Sequence, residues 1–469
     1  MELTSPTFFL SLTALFFLHW FSPRSLRAGW LLLGSYLLYA LWDLRFIPVL
    51  IGSTLLDFSL GTLIDREQKQ GRRKLLVIVS LVSNLGILAL FKYANFFLGI
   101  YSNAAERIGI PAMSASLEIF IPLGVSFYTF HSISYVVDIY RRKIPACRSF
   151  LEYALYVSFF PKLISGPIER TENFLTQLRA ERIFLWEDFF QALKLMLYGL
   201  FLKLCVGDRL SYVTDKVFKA YETAPTLELW IGYYAYSIQI YADFFGYTMI
   251  ATGAARLFGI RLSANFLNPY LSASPQEFWR RWHITLSSWF RDYVYLPMGG
   301  NRKRVYLNLM VTMGLAGLWH GANLKFVFWG LFHGVLVCLQ RLFLGDATKL
   351  AGWKRWIGIP VTFHLVSFGW LFFKAKDIHT AFGYASRMLE VPSLPPLMQA
   401  PMVAWCLILI GTWGVCLLLT KIFDLMPIGN FRERIYVGIP VRGGILGLLL
   451  FIVVLLGVAN AQPFVYFYF

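Results

Sequence analysis

Apolar residues run along this chain in long, nearly uncharged blocks, with polar residues gathered in short clusters between them. LLVIVSLVSNLGILALF at 75–91 and ILGLLLFIVVLLGVANA at 445–461 are the plainest blocks. A helix needs about 20 such residues to cross the hydrocarbon core of a bilayer. On that measure the pattern predicts roughly 11 to 13 hydrophobic segments. They lie near 7–21, 28–42, 45–64, 75–100, 118–140, 150–165, 187–206, 227–257, 305–322, 326–344, 357–373, 401–421 and 441–460. The stretches between them are too short to fold as separate soluble domains. One all-α polytopic integral membrane protein is expected. The opening MELTSPTFFL lacks the basic leader of a signal peptide, so the first segment is expected to be a retained helix.

Composition agrees: 57% of the 469 residues are hydrophobic and 15% charged, where soluble domains carry about a quarter charged residues. The formal net charge of +17 would suit a nucleic-acid partner, but its placement points elsewhere. Basic residues gather in SPRSLR (22–27), DREQKQGRRK (65–74) and RRKIPACR (141–148), while alternate loops are nearly neutral. That alternation is the positive-inside pattern. It puts the basic loops in the cytoplasm and both termini outside, and it calls for membrane lipid rather than nucleic acid. Cys147, Cys205, Cys338, Cys406 and Cys416 are scattered, with no CxxC and no metal-like spacing, and read as small packing residues.

Two regions break the apolar pattern. In FWRRWHITLSSWFRDYVYLPMGGNR (278–302), Phe278, Trp282, Leu286, Trp289 and Tyr293 recur at helical spacing. Arg280, His283, Ser287 and Arg291 would share the opposite face. The pattern predicts an amphipathic helix that lies at the interface or re-enters a protein-lined cavity. There His283 is either a solvated polar residue or a working one. The next stretch, 305–339, carries His320 and His333 in apolar surroundings, with Lys325 as its only formal charge. Ionisable residues inside spans usually face a cavity or a partner helix, although a packing histidine is possible at either position. Glycines at 317, 321, 330 and 334 have the spacing of closely packed helices. A neutral histidine in a dry tunnel can serve as a general base. No GxSxG elbow, Walker loop or GxGxxG is present, which disfavours a hydrolase, an ATP-driven pump or a dinucleotide enzyme.

The chain closes on PFVYFYF, with five aromatics in its last six residues. Pro463 ends helical geometry. In an extended tail Phe464, Tyr466 and Tyr468 would point one way, and Val465, Phe467 and Phe469 the other. The tail is either an interfacial aromatic belt or an insert into a pocket of its own protein. In the second case a tyrosine hydroxyl could accept an acyl group if a base removes its proton.

FFPKLISGPIER (159–170), the 278–302 stretch and GLWHGANLKFVFWGLFHG (317–334) together resemble the membrane-bound O-acyltransferases, in the branch of the alginate O-acetyltransferase membrane subunit, related to the teichoic-acid D-alanyl transfer protein. The resemblance implies a ring of helices around a central tunnel. His320 falls on the family's catalytic histidine and His283 on its second one. The final FVYFYF resembles the end of a small single-span protein of the D-alanyl system, with Tyr466 at the acyl-carrying position and Phe464, Phe467 and Phe469 as pocket contacts. Residues 441–469 would then be that element fused to a core of 1–440. The implied donor is acetyl-CoA or another acetyl thioester, with no bound cofactor or metal. The implied partner is an external SGNH-type esterase-like protein that acetylates an exopolysaccharide such as alginate, at the bacterial inner membrane. Direct transfer to a partner serine with the tail as a plug, and a polysaccharide-precursor flippase, are the alternatives.

Overall fold

The computed structural model describes residues 3–109, 119–164, 166–345, 350–390, 439–458 and 461–464, with isolated positions 411 and 414. Among the described residues every regular element is a helix. Five helical runs are long and apolar enough to cross a membrane: Arg24–Arg66, Gln70–Arg107, Trp186–Lys219, Leu324–Leu344 and Trp353–Lys374. Large apolar side chains such as Val82, Phe343 and Val454 stand exposed on these and the last helix, as a lipid-facing surface requires. Apart from positions 411 and 414, the expected segment at 401–421, with Cys406 and Cys416, lies outside the described residues.

Most expected segments have a helical counterpart, but several are broken. The 75–100 segment is a helix from Gln70 to Leu88, a π turn over Ala89–Tyr93, and a second helix over Ala94–Arg107. The 150–165 segment is two short helices, Phe150–Ser158 and Phe160–Ile164.

The chain divides into two compact units. The first comprises Met1–Ala192 and Ala251–Ser263. Two of its buried carboxylates are held by hydrogen bonds between elements. Asp57 accepts hydrogen bonds from Ser80 Oγ at 2.5 Å and Asn84 Nδ2 at 2.8 Å, which ties the Ile47–Arg66 helix to the Gln70–Leu88 helix. Such a carboxylate is costly to bury unless it is bonded. Glu169, 1% exposed, accepts from the backbone N–H and Oγ of Ser263. This fastens the 159–170 motif to the segment after the long Thr226–Arg256 helix.

The second unit comprises Leu193–Ile250 and Ala264–Phe469. Its centre is a helical hairpin, Val305–His320 followed by Leu324–Leu344. A Cβ on Gly317 would lie 2.2 Å from the Phe326 carbonyl oxygen, and one on Gly330 would lie 2.2 Å from that of Met313. Only hydrogen fits at those two positions, so the arms approach backbone to backbone. Lys325, 8% exposed, turns its ammonium to the carbonyls of Phe373 and Ala375 at 3.2 and 2.6 Å. These oxygens close the C-terminal end of the Trp353–Lys374 helix, where a cation is favoured.

Candidate active site

His320 is the last residue of its helix. Gly321 is extended, with φ −170° and ψ 155°, and the Asn323 side chain starts the next helix by accepting from the Lys325 N–H. The imidazole therefore sits at a helix break, as its Trp-His-Gly-Ala-Asn context suggests. It is 2% exposed and lies edge-on to Trp319, Trp329 and Phe373 at centroid distances of 5.0, 4.9 and 5.1 Å. It also lines a cavity of about 540 Å³, within the range of small-molecule sites. Arg280, Arg291 and Arg341 line the same cavity, together with Ser287, Ser288 and Tyr295. Because Arg280 and Arg291 are exposed and His320 is buried, the cavity leads from a cationic mouth to an imidazole.

His283 departs from the sequence reading. The expected single helix over 278–302 is two short helices, Pro275–Trp279 and Ile284–Phe290, followed by a π turn over Arg291–Tyr295. His283 stands between the first two with φ 43° and ψ 53°, a left-handed conformation costly for any residue with a Cβ. Asn265 holds this turn. Its carbonyl accepts from the Ile284 N–H at 2.9 Å, and its side-chain oxygen accepts from Thr285 Oγ1 at 2.9 Å. The turn directs His283 inward, so it is fully buried and not on a solvated face with Arg280 and Arg291. Its ring lies 4.8 Å from that of Phe244 and 6.0 Å from that of Trp319. Trp319 thus contacts both His283 and His320.

His333 is fully buried mid-helix among Trp279 and Trp329, at 5.1 and 4.9 Å. Neither of its ring nitrogens has a hydrogen-bond partner among the described residues. It does not line the cavity.

Tyr466, Phe467 and Phe469 lie outside the described residues, and Phe464 lies within them. The last helix, Ile439–Leu456, ends at a carbonyl capped by Arg209 Nε at 2.7 Å. Phe464 is fully buried, stacked on Tyr247 at 4.4 Å and 5.6 Å from Phe244. The aromatic sequence Phe464, Phe244, His283, Trp319, His320 is therefore continuous, with the cavity at its far end.

Sequence reasoning missed a charged cluster beside this tail. Lys203, Asp208 and Asp243 are buried together, with the Lys203 ammonium 2.7 Å from Asp208 and 2.5 Å from Asp243. Part of the signal was available: Lys203 and Asp243 are ionisable residues within apolar segments, which are functional candidates by default, and Asp208 lies just past the end of one.

An all-helical chain with histidines buried in its apolar interior and a cavity running to one of them has the outline of a membrane-embedded transferase. The family model for membrane-bound O-acyltransferases matches residues 141–366. The chain is 37% identical over 381 residues to a Pseudomonas putida protein named probable alginate O-acetylase AlgI, covering 80% of this chain and 77% of that one. It is 32% identical to the peptidoglycan O-acetyltransferase of Helicobacter pylori, over 75% of this chain and 72% of that protein. It is 30% identical to the teichoic acid D-alanyltransferase of Bacillus subtilis, over 55% and 69% respectively. The protein belongs to the membrane-bound O-acyltransferase family and is an integral membrane enzyme.

Proposed function

We propose that this enzyme moves an acetyl group from a cytoplasmic thioester, such as acetyl-CoA, to the hydroxyl of Tyr466, and from there to an external partner. The observation that carries this reading is the continuous aromatic path from Phe464 through His283 and Trp319 to His320 and its cavity. Phe464 fixes the base of the tail at one end of that path. Tyr466 follows two residues later, within about 7 Å of extended chain. The cavity, with arginines at its mouth, supports entry of an anionic donor from the other end.

In the transfer, the His320 imidazole accepts the phenolic proton of Tyr466 as the oxygen attacks the thioester carbonyl. The C–S bond breaks, and the thiolate leaves with the proton returned by the imidazolium. His283, one indole away, shapes the tail side of the site. The acetyl-tyrosine ester then passes its acyl group to a serine of an external protein resembling an SGNH-type esterase, and the tyrosine hydroxyl is restored. The final acceptor is an exopolysaccharide hydroxyl; alginate is one candidate, supported by the acetylase relatives. The basic loops at 22–27, 65–74 and 141–148 support an orientation in the bacterial inner membrane with both termini external.

Mass spectrometry of the C-terminal peptide after incubation with acetyl-CoA tests the reading. An acetyl ester on Tyr466 is expected in the wild type and not in His320→Ala. Polysaccharide acetylation that survives Tyr466→Phe would overturn the relay in favour of direct transfer to the partner serine.

A further inference from the structure

Residues 461–464, the described part of the tail, pass the cluster of Lys203, Asp208 and Asp243, and these side chains do more than neutralise one another. An ammonium has three donors. Lys203 directs one to Asp208, one to Asp243 and the third to the carbonyl of Gln462 at 2.7 Å. Asp208 in turn accepts the Gln462 N–H on its Oδ2 at 3.1 Å. Both backbone groups of one tail residue are therefore held by one buried charge cluster, as the N–H and C=O of an extended residue are held across a sheet.

The surrounding fold is built to put the cluster there. Lys203 lies in a π turn, Phe201–Gly207, which opens the helix that carries it. A Cβ on Gly246 would lie 2.8 Å from the Gly199 oxygen and 3.0 Å from the Lys203 nitrogen, so the two backbones meet there and Asp243 comes within reach. Two helices could be joined by Lys203 and Asp243 alone. The second carboxylate and the third ammonium donor are spent on the tail.

We propose that Lys203, Asp208 and Asp243 form a clasp that sets the register of the C-terminal tail, gripping the backbone of Gln462 so that Phe464 seats against Tyr247 and Phe244. They are positioning residues for the transfer, and this role rests on the reading that Tyr466 carries the acyl group. The clasp reads main chain, not side chain, at position 462. Pro463 follows at once, has no N–H to compete for Asp208, and its ring fixes its own φ.

The test compares Gln462→Pro, which deletes one tail N–H and leaves the charges untouched, with Gln462→Ala, which deletes only the side chain. Seating is read as maleimide labelling of position 464 in full-length Phe464→Cys protein, with the peptide resolved by mass spectrometry. Transfer is read as acetyl-ester formation on Tyr466 in the Phe464 background, with acetyl-CoA as donor. Relative to Gln462→Ala, Gln462→Pro is expected to raise labelling and lower transfer by about tenfold, the equilibrium worth of one charge-assisted hydrogen bond. The KM for acetyl-CoA should stay within about twofold, since only positioning is lost. Lys203→Met should reproduce both effects and Lys203→Arg should restore part of each, which a general loss of folding would not. Labelling at 464 unchanged by both Gln462→Pro and Lys203→Met would overturn the clasp. Labelling that rises while polysaccharide acetylation persists would support the clasp and overturn the role of Tyr466.

Discussion

His320 and His333 occupy the two arms of one hairpin, in sequence surroundings that are nearly alike. Each follows an aromatic residue and precedes a glycine, as Trp319-His320-Gly321 and Phe332-His333-Gly334. Each is buried against the indole of Trp329, at 4.9 Å in both cases. Yet one faces a cavity and the other is sealed. The difference lies in the backbone. At His320 the helix stops, Gly321 swings to an extended conformation, and the ring stands at the edge of an open space. At His333 the helix continues and the neighbouring helix closes in, so that a Cβ on Gly369 would lie 2.7 Å from His333 Nε2. A helix end, more than the residue type or its neighbours, decides which buried imidazole can meet a substrate.

The largest expected effect breaks this comparison directly. His320→Ala should lower acyl transfer by about 10²–10⁴-fold, the usual worth of a general base, in single-turnover measurements on purified protein. His333→Gln should act mainly on stability, costing about 1–3 kcal/mol as a buried side chain repacks. Its folded fraction should retain far more activity than His320→Ala. A folded His333→Gln protein as inactive as His320→Ala would end the distinction between the two sites.

Much of this contrast was legible in the sequence, and the illegible part has physical causes. The apolar runs gave the helices because burial of the backbone in lipid leaves few other choices. The glycine spacing at 317, 321, 330 and 334 pointed to closely packed helices, and the break at Gly321 was signalled by its Trp-His-Gly-Ala-Asn context. The turn at His283 was not. Phe278, Trp282, Leu286 and Trp289 are all buried, as their helical spacing requires, although the helix is interrupted among them. Periodicity survives such a break, and a histidine in a left-handed conformation leaves no glycine or proline to announce it. The π turn that presents Lys203 is silent for the same reason. The clasp itself joins residues far apart in the chain, and its tail ligand is main chain, which no side-chain pattern encodes.

A smaller effect sharpens the role of the hairpin. Gly317→Ala would bring a methyl group to 2.2 Å from the Phe326 carbonyl, with backbone on both sides and no flexible side chain to yield. Overpacking of this kind costs about 1–3 kcal/mol. It should appear as a lower thermal midpoint in detergent. Activity should fall as well, because the shift moves the arm that ends in His320. Gly52→Ala, whose added Cβ would have nothing within 4 Å beyond its own chain neighbours and helix backbone, is the control and should lack the midpoint shift. Equal midpoints for the two variants would mean that the arms have room to part.

The smallest expected effect concerns the cavity that only His320 reaches. Arg280, Arg291 and Arg341 line it; the first two are exposed, Arg291 is paired with Asp292 at 2.8 Å, and half-buried Arg341 donates to Asn301, so their charges act screened and partly paired. Exposed pairings are worth about 0.2–1 kcal/mol. Arg280→Gln, Arg291→Gln and Arg341→Gln should therefore each raise the KM for acetyl-CoA by no more than about fivefold. The effect should shrink as added salt shortens the Debye length from about 10 Å at 0.1 M toward 3 Å at 1 M. An acetyl thioester of N-acetylcysteamine carries no phosphate and serves as the internal reference. If its KM rose in step with that of acetyl-CoA, the arginines would be holding the cavity wall. A rise confined to acetyl-CoA would make the mouth a phosphate site, and would explain why the imidazole at the helix end, and not its sealed counterpart, stands behind it.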